Sequence, residues 1–249
     1  MGYNLLCMET RQITKGSTRP NTSLAPLLRA FKEQICDENV LIGEVLRTTL
    51  KRHLRGPVLD VGAGLGDIAL ASFADVPAIL LDTEPWSAPT SPLHRREIGD
   101  FFDYVEANSS TVGTLLLCHV LQYIDDDEPR LKRAVARLNA KSVITVLNDN
   151  TSSFGDLMNW ANSHVVGANP ERPIAPVDTR VYKVVAVEPV AATMICPSFE
   201  VMAQHFVSVL LDTDEGGESM RAMADKLRSA LSAPAIVINQ TVTCYERRS

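Results

Sequence analysis

The sequence predicts an α/β fold in which a parallel sheet is covered by helices on both faces. Four short apolar runs, each bounded by polar or turn residues, are typical of buried strands: 58–61, 78–81, 114–120 and 142–147. Helical spacing occurs between them, as at Leu131, Val135 and Leu138. This alternation predicts parallel strands joined by crossover helices. A chain of 249 residues, 45% hydrophobic and 22% charged, allows one large domain or one domain with a modest cap.

Residues 1–56 are predicted to form an arm and a helical cap. Residues 1–21 carry few apolar repeats and are expected to be the arm. Two helices should follow, because apolar residues recur at helical spacing: Leu24, Leu27, Leu28, Phe31 and Ile35 in the first, then Leu41, Ile42, Val45, Leu46 and Leu50 in the second. The second helix is predicted to end at Gly56, with cations and His53 in its last turn facing the negative end of the helix dipole: Lys51, Arg52 and Arg55.

Residues 57–249 are predicted to form the core, with a cap insertion near 153–180. A short helix over 154–161 should begin the insertion, and its remainder should be an ordered loop because it contains one glycine and three prolines: Gly167, Pro170, Pro173 and Pro176. A β-rich stretch over 181–195 is expected to break at Pro189, and two amphipathic helices follow. The strand over 235–245 alternates apolar and polar residues, so we expect it to close the sheet with one partly polar face.

The charge balance and the apolar pattern exclude several functions. Lys plus Arg is 24 against 30 for Asp plus Glu, a net charge of −6, and no basic stripe follows a phosphate backbone, so nucleic acid is not an expected partner. Apolar runs stop well short of the roughly 20 residues that cross a bilayer, and no signal segment follows Met1, so we expect a soluble, cytoplasmic protein without a membrane partner. The five scattered cysteines predict reduced thiols, and the acidic run 125–128 predicts a helix N-terminus; we expect no metal site.

The clearest chemical signal is the sequence Val-Leu-Asp-Val-Gly-Ala-Gly-Leu-Gly-Asp over 58–67. Its strand contains Asp60 and turns through three alternate glycines, which permit positive φ and close approach of a ligand: Gly62, Gly64 and Gly66. A dinucleotide site has the spacing GxGxxG, because its helix N-terminus receives a pyrophosphate. Here the spacing is GxGxG, and an acid two residues before the first glycine suits a cationic ligand. Capping of the turn is the alternative role for this acid.

This pattern resembles motif I of the class I S-adenosylmethionine-dependent methyltransferases, and three later segments match the family in chain order. The resemblance implies a Rossmann-like, seven-stranded, mostly parallel sheet and S-adenosylmethionine as cofactor. In the family, an acid after the second strand accepts the ribose hydroxyls. The sequence Asp82-Thr83-Glu84 occupies that place, and spacing does not choose between Asp82 and Glu84.

The next two segments match the adenine and methionine ends of the family's cofactor site. Gly99-Asp100-Phe101 resembles the loop in which an acid binds the adenine amino group and an apolar neighbour lies against the ring, although Gly-Asp is also an ordinary turn start. Residues 117–124 resemble the segment that lines the methionine end. The implied cofactor site comprises Asp60, Gly62, Ala63, Gly64, Gly66, Asp82, Thr83, Glu84, Gly99, Asp100, Phe101, Cys118, His119 and Tyr123.

Within this superfamily the chain resembles the histamine N-methyltransferase type. The resemblance rests on the two N-terminal helices, the Leu-Gln-Tyr-Ile string over 121–124, Ser-Ser-Phe over 152–154 and the last strand. Enzymes of that type hold a small amine with polar side chains, one of them commonly Gln where this chain has His119. The resemblance implies acceptor contacts from His119, Asn239 and Gln240. Gln122, Tyr123 and Trp160 are further candidates for the acceptor site, with helix packing as the alternative for Tyr123 and a core position as the alternative for Trp160.

We therefore expect a methyltransferase that acts on a small molecule, preferably on an amine nitrogen, as a monomer or homodimer. The alternative within the class is a hydroxyl acceptor: a phenol, with a pKa near 10, would need a base such as His119, which is the candidate catalytic residue. A third possibility is a protein that binds the cofactor without transferring its methyl group. A core position for His119 also stays open at this point.

Overall fold

The computed structural model describes residues 35–85, 91–108, 111–121, 128–166, 175–210 and 217–248. Within them it has seven strands: β1 (Val58–Val61), β2 (Ala78–Asp82), β3 (His94–Ile98), β4 (Thr114–Cys118), β5 (Ser142–Asn148), β6 (Tyr182–Ile195) and β7 (Ala235–Arg247). The α-helices of the described residues are α1 (Glu38–Arg47), α2 (Asp67–Phe73), α3 (Phe101–Ala107), α4 (Glu128–Leu138), α5 (Ser153–Ala161), α6 (Phe199–Gln204) and α7 (Gly217–Ala230). The predicted arm and almost all of the first predicted helix lie outside the described residues.

The seven strands form one mostly parallel sheet in the order β3-β2-β1-β4-β5-β7-β6. Among them, β7 alone runs in the direction opposite to the other six. Side chains of α3 and α4 pack on one face of the central strands, and side chains of α1 and α2 pack on the other. All four residues of β1 are buried, as expected for a strand covered on both faces. The predicted α/β, Rossmann-like fold is confirmed.

The last strand does not close the sheet, because β7 lies between β5 and β6. Its alternation is as predicted, with one buried set: Ile236, Ile238, Gln240, Val242 and Cys244. Pro189 does not interrupt β6 either: it pairs with Thr241, its two neighbours are also paired, and the register shift of this ladder lies between Val184 and Ala186. The missing N–H of Pro189 is tolerated because β6 is an edge strand, which forms ladder hydrogen bonds on one side only.

Strand β3 has no counterpart among the predicted strands. Its sequence, His-Arg-Arg-Glu-Ile, contains three consecutive charged residues and pairs with β2 on one side only. Charged side chains are common on edge strands, where they prevent pairing with other chains. A strand of this kind contains no apolar run by which the sequence would reveal it.

Helix α1 ends at Arg47, earlier than predicted. The Thr48 hydroxyl donates to the Glu44 carbonyl at 2.6 Å, and such a bond competes with continued helix. A separate 3-10 turn then spans Lys51–His53. His53 was predicted to face the negative end of the helix dipole. Its side chain is instead buried, and its Nδ1 lies 2.7 Å from Oε1 of Glu246 on β7.

The later helices follow the predicted apolar spacing. The predicted face of α4 is buried, although the helix begins at Glu128 and residues 125–127 of the acidic run lie outside the described residues. Helix α5 covers the predicted 154–161 and continues into a π-helical turn, Asn162–Val166. Helices α5, α6 and α7 pack together beside the β6–β7 end of the sheet. No helix in the described part of the chain is long and apolar enough to cross a bilayer.

Gly113, immediately before β4, has less space for a side chain than the other glycines for which the structure gives such distances. A Cβ there would lie 2.2 Å from the backbone oxygen of Arg55, so we expect Gly113→Ala to lower the free energy of unfolding by about 3 kcal/mol. Urea denaturation measures this change. Gly217→Ala is the control, since a Cβ at Gly217 would meet nothing within 4 Å. Equal unfolding midpoints for the two variants would contradict the prediction.

Candidate functional site

The glycine turn, defined as residues 62–66, leaves the carboxyl end of β1. Its three glycines have left-handed φ angles of 68° at Gly62, 53° at Gly64 and 83° at Gly66. A methyl group on Gly62 would lie 2.8 Å from Cγ2 of Val120, so side chains are excluded there by contact as well as by φ. Because β1 lies between β2 and β4, the turn is at the point where the strand order reverses, which is where open α/β sheets bind ligands.

Four of the five N–H groups of the turn are engaged within the protein. Gly62 and Ala63 both donate to the Leu81 carbonyl, at 2.8 and 3.1 Å, and Gly66 donates to the Ala63 carbonyl at 2.9 Å. Gly64 donates to Oδ2 of Asp82 at 2.8 Å. A pyrophosphate site needs such N–H groups directed at the ligand. These four donors are therefore not available to a phosphate.

Two carboxylates adjoin the turn from neighbouring strands. Asp60 on β1 is only 4% exposed, and Asp82 at the end of β2 is half-buried. Besides Gly64, Asp82 accepts the backbone N–H of Glu84 through Oδ1 at 3.0 Å. A carboxylate has about four acceptor positions, so these two bonds leave Asp82 able to accept more. Thr83, between the two acids, is exposed.

A third charged group at the turn, Arg96 on β3, was missed by the sequence analysis. Its guanidinium donates from Nη1 to the Gly64 carbonyl at 2.9 Å and from Nη2 to the Leu65 carbonyl at 2.6 Å. Burial lowers the pKa of Arg96, while nearby carboxylates act in the opposite direction: Asp82, Asp67 and Asp60. The turn is thus contacted by an acid on β2 and by a cation on β3.

The segment Gly99-Asp100-Phe101 adjoins the same strand end, because Gly99 donates to the Asp82 carbonyl at 2.9 Å. Asp100 caps α3: its Oδ1 accepts from the N–H groups of Phe102 at 2.7 Å and of Asp103 at 3.3 Å. Phe101 is buried in the core beneath the sheet. The ordinary turn role of Asp100 is therefore observed, and its contact with adenine stays a prediction.

A second polar cluster, here called the acceptor cluster, consists of Glu38, His119 and Gln240. Glu38 lies on α1, His119 follows β4, and Gln240 lies on β7. His119 and Gln240 are two of the predicted acceptor residues. Gln240 Nε2 donates to Glu38 Oε2 at 2.9 Å, and His119 Nε2 lies 3.9 Å from the same oxygen. Glu38 was missed by the sequence analysis, because a glutamate in the first turn of a helix is unremarkable by itself.

The backbone and the surroundings of this cluster are unusual for a packed core. His119 has a φ of 51° and donates its backbone N–H to Val146 at 3.2 Å. Asn148 on β5 is opposite Gln240 in the β5–β7 register. Three buried side-chain atoms have no hydrogen-bond partner among the described residues: Oε1 of Gln240, Oδ1 of Asn148 on the paired strand, and Nδ2 of Asn39, which follows Glu38 in the sequence. A buried polar atom without a partner costs about 1–3 kcal/mol, which favours a ligand-binding role for this region.

The other predicted acceptor residues are placed differently. Asn239 is exposed, because it alternates with Gln240 along β7 and so projects from the opposite face of the sheet. Trp160 stacks on His164, with ring centroids 4.6 Å apart, and Lys226 of α7 lies 5.6 Å from its ring. Gln122 and Tyr123 lie outside the described residues. Cys118, at the end of β4, is half-buried.

Comparison with known proteins gives a structural likeness only. No protein-family model and no curated protein matches the sequence. A candidate methyltransferase from Bacillus halodurans C-125 is similar in structure, with a TM-score of 0.53 and 13% identity over 82% of this chain and 99% of that one. A cyclopropane-fatty-acyl-phospholipid synthase-like protein from Lactobacillus casei has a TM-score of 0.51 and 12% identity, over 84% and 92%.

A third similar structure is a candidate sarcosine dimethylglycine methyltransferase from Galdieria sulphuraria, with a TM-score of 0.50 and 12% identity over 83% of this chain and 85% of that one. At such low identity the likeness shows the fold. The chain therefore shares the Rossmann-like α/β fold of these structures, and its β7 is antiparallel to β5.

Thiol labelling should identify Cys118 as the accessible cysteine of the candidate site. Cys36, Cys196 and Cys244 are buried, and burial raises the pKa of Cys196 to about 11 and of Cys244 to about 12, so few thiolates form at neutral pH. We expect Cys118 to react first of these four, as read by peptide mass mapping of the folded protein. Faster labelling of a buried thiol would contradict this placement.

Proposed function

We propose that this protein is an S-adenosylmethionine-dependent methyltransferase that acts on a small molecule, preferably on an amine nitrogen. The observation that carries the proposal is the glycine turn, four of whose five N–H groups are engaged internally while carboxylates adjoin it. Such a turn disfavours a pyrophosphate and suits a cationic ligand. The fold shared with class I methyltransferases supports the same conclusion.

The residues around the turn fit this cofactor. Asp60 and the backbone of Gly62 would face its cationic methionine end, where the short distance to Val120 leaves no space for a side chain. Asp82 would accept the ribose hydroxyls, since it retains acceptor positions and contacts the turn directly, whereas Glu84 reaches Asp82 through its backbone. When bound, S-adenosylmethionine supplies an electrophilic methyl group on a positively charged sulfur.

The acceptor cluster is suited to an amine. A buried carboxylate is costly unless it is paired, and Glu38 has Gln240 as its hydrogen-bond donor with His119 a little further away. A protonated amine would supply both charge and N–H donors to Glu38, Gln240 Oε1 and Asn148 Oδ1. The nitrogen must lose a proton before its lone pair can form the new N–C bond, and Glu38 or His119 can accept that proton.

A hydroxyl acceptor is the second candidate, and the distance between His119 and Glu38 favours it. With Nε2 at 3.9 Å from the carboxylate, Glu38 can stabilise the imidazolium that forms when His119 removes a hydroxyl proton. In either case proximity and orientation are the main contributions of the protein, because in-line methyl transfer needs little other assistance.

Isothermal titration calorimetry tests the cofactor assignment. We expect S-adenosylmethionine and S-adenosylhomocysteine to bind and NAD not to bind. Gly64→Val should abolish binding of both, since valine opposes the left-handed φ of 53° and obstructs the ligand. Gly217→Ala, far along the chain in α7, is the matched control and should bind as the wild type does. Binding of NAD without any response to S-adenosylmethionine would refute the proposal.

Substitution of His119 separates the two acceptor chemistries. The acceptor is first identified by incubation with methyl-labelled S-adenosylmethionine and pooled small metabolites; absence of transfer by a protein that binds the cofactor would favour a non-transferring role. For a hydroxyl acceptor, His119→Gln should lower kcat by about 10²–10⁴, because the base is lost. For an amine acceptor, the loss should be small. Cofactor affinity should be unchanged in both cases, and an unchanged kcat and KM in His119→Ala would exclude His119 from the site.

A further inference from the structure

The side chain of Arg96 reaches the glycine turn from the far side of β2. In the parallel register, Asp60 is opposite Leu80 and Leu80 is opposite Arg96, so the three side chains project from one face of the sheet. A Cβ on Gly66 would lie 3.0 Å from Arg96 Nη2 and 3.1 Å from Leu80 Cδ1. Arg96 therefore extends over Leu80 and closes against the end of the turn.

The peptide groups of the turn are held from two directions. The N–H of Gly64 is bound by the Asp82 carboxylate, and its carbonyl is bound by Arg96, which also binds the next carbonyl, that of Leu65. An arginine can do this because its planar guanidinium presents donors in a rigid fork. A lysine in the same place has one compact ammonium on a flexible stem.

The turn needs such support because it is rich in glycine. Glycine has the largest conformational freedom to lose on ordering, and the left-handed angles of Gly62, Gly64 and Gly66 are only one of the conformations open to them. A ligand that binds a turn already fixed does not have to supply the free energy of ordering it.

We propose that Arg96 is a positioning residue of the cofactor site, which fixes the glycine turn in its binding conformation through the carbonyls of Gly64 and Leu65. The inference rests on the proposed function and extends it, since it assigns to an edge strand a part in cofactor affinity. Arg96 acts through the turn and touches no reacting atom.

The test compares substitutions of two neighbouring arginines on β3. Arg96→Met removes both bonds to the turn, and Arg96→Lys retains the charge with a single donor group. Arg95→Met is the matched control, because Arg95 is exposed and pairs with Glu97 at 2.9 Å. For each variant, calorimetry measures the Kd of S-adenosylmethionine and S-adenosylhomocysteine, and thermal unfolding without ligand confirms that the protein is folded.

We expect Arg96→Met to weaken both ligands by roughly 10-fold or more, from loss of charged hydrogen bonds that order the turn. Arg96→Lys should be intermediate, and Arg95→Met should bind like the wild type. In Arg96→Ala, low concentrations of guanidinium chloride should restore part of the affinity, and the same concentration of sodium chloride should not. A role confined to stability would lower the unfolding temperature without this rescue.

The outcomes distinguish this inference from the function on which it rests. Wild-type protein that binds neither ligand would refute the proposed function, and the inference with it. Wild-type binding with equal affinity in folded Arg96→Met or Arg96→Lys would overturn the inference and leave the proposed function intact. Loss of affinity without guanidinium rescue in folded Arg96→Ala would also overturn it.

Discussion

The left-handed conformation of the glycine turn is the constraint on which the rest of the candidate cofactor site depends. With φ positive at all three glycines, the backbone leaves β1 and enters α2 within five residues. This tight path turns the N–H groups of Gly62 and Ala63 back toward β2, where Leu81 accepts both. The same geometry that makes the turn compact therefore leaves these two N–H groups unavailable to a phosphate.

Carboxylates are the main charged groups around the turn, and their closeness to one another has an electrostatic cost. Asp60 is almost fully buried, and Asp67 and Asp82 are close enough to affect the ionisation of Arg96. One guanidinium compensates part of this negative charge within the protein. A cationic ligand would compensate more of it, so the charge of the site and the charge of the proposed cofactor are complementary.

The sequence predicts well those features that depend on neighbouring residues. The bounds of β1 are as predicted, and the buried face of α4 follows from spacing alone. Prediction failed where the outcome depends on position in the sheet: β3 is charged because it is an edge, and Pro189 is tolerated for the same reason. A charged run or a proline does not by itself distinguish an edge strand from a loop.

The two halves of the candidate site also differ in how well the sequence predicts them. The cofactor end is built from one continuous turn and the strand end beside it, so its residues form a motif that is visible in the sequence. The acceptor cluster joins residues far apart in the chain: Gln240 is 202 residues from Glu38, its hydrogen-bond partner. No local pattern predicts such a pairing, and Glu38 was accordingly missed while His119 and Gln240 were found only through resemblance.

The acceptor cluster and the glycine turn are held by different hydrogen bonds. Substitution at Glu38, His119 or Gln240 would change the side-chain donors and acceptors of the acceptor cluster, while the bonds from Asp82 and Arg96 to the glycine turn involve none of the three. The bonds that hold the turn can therefore be retained while the acceptor cluster varies, and because a fold by itself does not identify an activity, the substrate must be argued from the acceptor cluster.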